Sequence, residues 1–94
     1  MQTYIMFGKY TTEALKGISG KRGERCLGLI QQFGGTVSAM YATLGKHDLV
    51  LIVQFPSVQK LIKTSVELNK LTGISFSSEP AITVDEFDKV VAEE

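Results

Sequence analysis

Ninety-four residues, 44% of them hydrophobic and 21% charged, with two prolines and no low-complexity tract, exclude a disordered tail and imply one globular domain spanning 1–94. Ten basic and ten acidic residues cancel. They are scattered along the chain, so the basic face that a nucleic-acid binder turns toward phosphates is missing.

The segment Thr3 to Tyr10, rich in aromatic and β-branched residues, predicts a first strand, and Thr11-Thr12-Glu13 offers a hydroxyl to cap a helical turn after it. From Glu13 to Phe33 the pattern is helical. Gly17, Gly20 and Gly23 each cost up to about 1 kcal/mol there relative to alanine, which predicts a broken or late-starting helix, firm over Arg22 to Phe33. Cys26, Ile30 and Phe33 recur at helical spacing, and Gly34-Gly35 supplies a left-handed stop. Thr36 to Leu44 and Asp48 to Phe55 read as strands two and three, joined by the turn Gly45-Lys46-His47-Asp48.

Ser57 is a candidate N-cap for a second helix whose apolar stripe includes Val58, Leu61, Ile62, Leu68 and Leu71, ended by Gly73. Ile74 to Ser78 is a fourth strand in which Ile74 and Phe76 alternate with serines, as at a sheet edge with one wet face. Thr83-Val84-Asp85-Glu86 forms a capping box for a short terminal helix carrying Phe87, Val90 and Val91. The order is an α+β, ferredoxin-like βαββαβ arrangement with an antiparallel sheet and a short C-terminal helix. Both long helices lie on one face, and strands one and three are central.

Strand three, Leu49 to Val53, is apolar on both faces, and strand one carries Ile5 and Phe7 on one side, Tyr4, Met6 and Tyr10 on the other. Two helices cover one side of a sheet. The other is left greasy unless a second copy packs face to face into a dimeric α+β barrel, burying about 800 Å² per partner. A homodimer or higher homo-oligomer is therefore expected. The competing reading has the terminal helix half-covering strand three.

The longest apolar run falls far short of the roughly 18 residues that span a bilayer, and the start MQTYIMFGKY has no signal-peptide pattern. With a lone cysteine, this predicts a soluble cytoplasmic protein with no membrane partner. One histidine and one cysteine, far apart, make no recognisable zinc site, and the glycines match no phosphate loop, so no metal or cofactor is expected. Cys26, on the apolar helix face, reads as a buried, inert thiol.

The pieces GKYT at Gly8 to Thr11, Arg22, Gly34-Gly35, MYATLGKHDLVLIVQFP at Met40 to Pro56 and LTGISF at Leu71 to Phe76 together resemble the GYD domain family across nearly the whole chain. The resemblance implies a small ferredoxin-like domain of unassigned function that assembles into α+β barrels. The family's name-giving segment stands here as Gly45, His47 and Asp48, with histidine where tyrosine is typical, after the extra residue Lys46. Imidazole can replace a phenol as a hydrogen-bonding group but is a different acid and base, so the chemistry at this position departs from the family's. SSEPAITVDEF also departs from the charged strand expected of relatives.

In this topology Lys9 and Tyr10, the helix start with Arg22, the turn containing His47 and Asp48, and Thr72-Gly73 converge at one pole, with Tyr41 a few residues down strand two. Lys9, Tyr10, Arg22, Tyr41, His47 and Asp48 are the candidate binding residues for a small anion such as a carboxylate. The bland alternative has Asp48 bonding turn amides, His47 exposed and Arg22 paired with Glu24 or Glu13. Two functions fit: a homo-oligomeric binding or sensory module for an anionic metabolite, or a cofactor-free oxygenase or isomerase with His47 as base and Tyr41 and Lys9 positioning substrate. Adjacent strand residues face opposite ways, which weakens a His47–Asp48 dyad.

Overall fold

A computed structural model describes residues 1–17 and 20–92. Its elements are β1 (Gln2–Lys9), α1 (Thr12–Lys16), α2 (Arg22–Gln32), β2 (Thr36–Ala42), β3 (Leu49–Phe55), α3 (Val58–Thr72), β4 (Ser75–Ala81) and α4 (Val84–Ala92). The strands form one sheet in the order β2-β3-β1-β4, every neighbouring pair antiparallel. This is the ferredoxin-like α+β arrangement with β1 and β3 at the centre.

Local chemistry sets most boundaries. The Thr11 hydroxyl accepts from the Ala14 amide at 3.0 Å and Ser57 from Lys60 at 3.3 Å, each using an otherwise orphan donor of a first turn. Gly34 ends α2 at φ +83°, with Gly35 N–H donating to Ile30 C=O and Gly34 N–H to Gln31 C=O, both at 3.0 Å, the crossed pair of a Schellman stop. Gly73, at φ +77°, closes α3 with the single bond from its amide to Asn69 C=O at 2.8 Å. The Thr83 hydroxyl accepts from the Glu86 amide at 3.1 Å and opens α4.

Alternation along the strands sends Tyr4 and Met6 of β1 and Leu51, Val53 and Phe55 of β3 to the helix side, where they join Cys26 and Ile30 of α2 and Leu61 and Leu68 of α3 in one core. The other parity, Ile5, Phe7, Val50 and Ile52, is only half-buried and faces away from α2 and α3. Register lines these residues up. Tyr41, Val50, Phe7 and Ser77 form one row across the sheet, and Ala39, Ile52, Ile5 and Glu79 the next.

Two strands differ from the sequence expectation. β2 stops at Ala42, because Leu44 is fully exposed and Gly45 sits at φ +145°, so the connection occupies Thr43 to Asp48. β4 extends to Ala81, paired with β1 as far as Thr3↔Ala81, and it carries Pro80 at the sheet edge, where a missing N–H costs nothing. The terminal helix does not cover β3. No residue of α4 is buried, and Val84, Phe87, Val90 and Val91 all stand exposed.

Candidate functional site

The connection before β3 is a strap across the end of β1. Asp48 N–H donates to Gly8 C=O at 2.9 Å, and Asp48 C=O accepts from Thr43 N–H at 2.9 Å, so the backbone bonds to β1 on one side and closes its own loop on the other. The Asp48 carboxylate accepts from the Tyr10 amide at 2.8 Å and lies 3.7 Å from Lys9 Nζ. An ionised acceptor makes the Tyr10 bond the stronger kind, while the mostly exposed lysine adds little.

From Tyr10 the contacts continue inward. The Arg22 guanidinium lies 5.1 Å from the Tyr10 ring centroid, within cation–π range, and its Nη1 donates to Ala14 C=O. Arg22 is thus held between β1 and α1 rather than paired with Glu24 or Glu13, which corrects the ion pair considered from the sequence: a carbonyl in the last turn of α1 is nearer and better aimed. Lys9, Tyr10, Asp48 and Arg22 therefore form one connected chain of contacts. Beside it opens a cleft of about 820 Å³ between α1, the start of α2 and the end of α3, lined by Arg22, Arg25, Asn69, Lys70 and Thr11 among others.

His47 belongs elsewhere. Its ring centroid is 4.6 Å from that of Phe7, with the planes 32° apart, so the imidazole lies on the sheet face that α2 and α3 leave open. Its backbone is fixed by the Thr43 hydroxyl, which donates to His47 C=O at 2.6 Å. Tyr41 shares that face, two strands away from Phe7 in the same row, and is 62% exposed. The six sequence-derived residues therefore divide into a polar chain of four and an open-face pair. With its carboxylate committed to Tyr10 and Lys9, Asp48 does not orient the His47 ring.

A GYD domain model matches residues 4–91. The chain belongs to the GYD domain family. In this GYD domain the segment Gly45-Lys46-His47-Asp48 belongs to the strap just described, with Asp48 as its anchor and His47 turned onto Phe7. No curated protein matches the chain. Among solved structures it is similar to the Mycobacterium tuberculosis leucine response regulatory protein LrpA, at a TM-score of 0.58 and 10% identity over 88% of this chain and 51% of that one. It is also similar to a crystal structure of a glutamate-to-alanine mutant, at 0.64 and 14% identity with the same coverages. At such identities the likeness concerns the ferredoxin-like fold, and the GYD domain spans about half the length of either chain.

Sequence reasoning did not single out Phe7 as the platform for His47, Thr43 as its fastener, or Lys70 as a cation of the cleft. The odd-numbered apolar residues of β1 were the available signal for Phe7. Cys26 is 4% exposed, and burial pushes its thiol above the usual cysteine range, with the Arg22 charge a smaller opposing effect. A thiol held protonated is a poor nucleophile, in keeping with its place in the core. Among the described residues no three His, Cys, Asp or Glu side chains are grouped to hold a metal ion, and no helix is long and apolar enough to cross a membrane.

Proposed function

We propose that this GYD domain is a small-molecule-binding or sensory module that works as a cytoplasmic homodimer closed through its open sheet faces. Its ligand is a small anion with an apolar portion. The observation that carries the reading is the imidazole of His47 resting on Phe7, with Tyr41 in the same row. An apolar floor of Phe7, Val50 and Ile52 with an imidazole and a phenol above it has the composition of a ligand pocket, and a second copy supplies the missing roof. Lys9 stands at the end of the same face, and the Asp48 strap keeps the pole rigid. A regulatory role also has a fold-level analogy in the leucine response regulatory protein, although fold alone does not fix function.

The enzyme reading keeps one supporting observation, that His47 lies on the open face where a base would meet substrate. Among the described residues no carboxylate bonds to the ring, the Asp48 side chain being engaged by Tyr10 and Lys9, and for that reason binding is preferred. The test is thermal melting of the full chain with a panel of small carboxylates, repeated for His47→Tyr and His47→Ala. At least one carboxylate should raise the melting temperature, by about 4–8 °C for each kcal/mol of linkage. His47→Tyr should keep the shift and His47→Ala lose most of it. A flat response across the panel overturns the proposal. A carboxylate consumed by the wild type about 10²-fold faster than by His47→Tyr moves the protein to the enzyme class.

A further inference from the structure

The segment after β4 has the composition of a packed element, yet no residue of α4 is buried among the described residues. Val84, Phe87, Val90 and Val91 fall on one stripe of α4, while Asp85 and Lys89 lie on the opposite side. All four apolar residues are exposed, as is Ile82 before them. A nine-residue helix is too short to persist in water on its own propensity, since isolated helices under about 12–15 residues are marginal even in alanine-rich sequences. Its cap at Thr83 supplies part of the deficit, and tertiary packing must supply the rest.

The molecule's dimensions put the helix away from the body. A strand of eight residues spans about 26 Å, yet the chain measures 52 × 30 × 18 Å. None of the described elements packs closely on α4. At the base of this arm, the open sheet face carries a largely apolar groove of about 710 Å³ with Ile5, Ile52, Ala81 and Ile82 along it, bordered at one end by Thr83 and Glu86 of the arm's own first turn.

We infer that α4 is an exchanged arm: in the homodimer proposed above, on which this inference rests, the apolar stripe of each α4 seats in the Ile5–Ile52–Ala81 groove of the other copy. The occupant is a second copy because one chain supplies both halves of the fit, an exposed apolar stripe and an open apolar groove. The area points the same way. The sheet residues Ile5, Phe7, Val50 and Ile52 are already half-buried, so alone they fall short of the roughly 800 Å² per partner of a stable interface. Adding Ile82 and four exposed side chains, an aromatic ring among them, brings the patch to that scale.

The test uses the full chain with Phe87→Asp. Because Phe87 touches no core of its own protomer, the variant should keep the wild-type circular dichroism while its dimer dissociation constant rises by about 30-fold or more in sedimentation equilibrium. A wild-type chain that is monomeric at micromolar concentration overturns the dimer and this inference together. A wild-type dimer that Phe87→Asp leaves equally tight overturns the exchange alone. A second measurement separates exchange from folding back. In a Cys26→Ala background, Ile52→Cys chains mixed with Phe87→Cys chains and a short bismaleimide should give a cross-linked heterodimer. A cross-link forming only within the Ile52→Cys/Phe87→Cys double variant, and not between the single variants, places the arm on its own sheet and ends the proposal.

Discussion

Asp48 combines three duties in one residue: it donates its amide to Gly8, closes its loop through its carbonyl, and offers its carboxylate to Tyr10 and Lys9. Removing the side chain leaves the half-buried Tyr10 amide without its acceptor, so Asp48→Ala should destabilise the fold by about 1–3 kcal/mol in urea unfolding. Lys9→Ala should cost only about 0–1 kcal/mol, because the lysine is exposed and its ion pair is long. Equal losses in the two variants would contradict the strap. The meeting of Lys9, Tyr10 and Asp48 at one pole was legible from topology. Their pairing was not, because the separation of 38 positions between Tyr10 and Asp48 hides which atom the carboxylate reaches until the β1–β3 register is set. The facing of His47 has the same origin: its neighbour in space, Phe7, is forty positions away in the chain, and no local propensity records that contact.

At the scale of elements, glycines that look alike in the sequence have opposite consequences. A Cβ on Gly35 would lie 2.5 Å from Phe55 Cε1 and 2.9 Å from Ile30 Cγ2, both on fully buried side chains. Gly35→Ala should therefore cost about 1–3 kcal/mol. Gly28, on the open side of α2, meets nothing within 4 Å, so Gly28→Ala should stabilise by up to about 1 kcal/mol. Chemical denaturation of the two variants checks the signs. Starts and stops at Thr11, Ser57, Gly34, Gly73 and Thr83 were readable because each depends on its own side chain or on glycine's freedom at positive φ. The full length of β4 was not, since Pro80 and Ala81 become strand only by lying beside β1. α2 runs through Gly23 and Gly28 because burial of Cys26 and Ile30 outweighs their helix penalty.

For the whole molecule, the decisive feature is a sheet with helices on one side. Its core is thin, and Ile5, Phe7, Val50 and Ile52 remain half-covered on the other side. If association completes the fold, unfolding and dissociation are linked, and the melting temperature should climb with protein concentration by several degrees per hundredfold. A melting point independent of concentration from micromolar to millimolar would separate folding from pairing. The face to be covered is also two-toned. β2, β3 and β1 contribute Tyr41, Val50, Ile52, Ile5 and Phe7, whereas β4 contributes Ser75, Ser77 and Glu79. In the dimer proposed above, copies that overlap their greasy strips must slide sideways, leaving the Ser75 and Ser77 margin of each as a hydrated gutter along the seam. Small solutes could then reach the imidazole without the two halves ever parting.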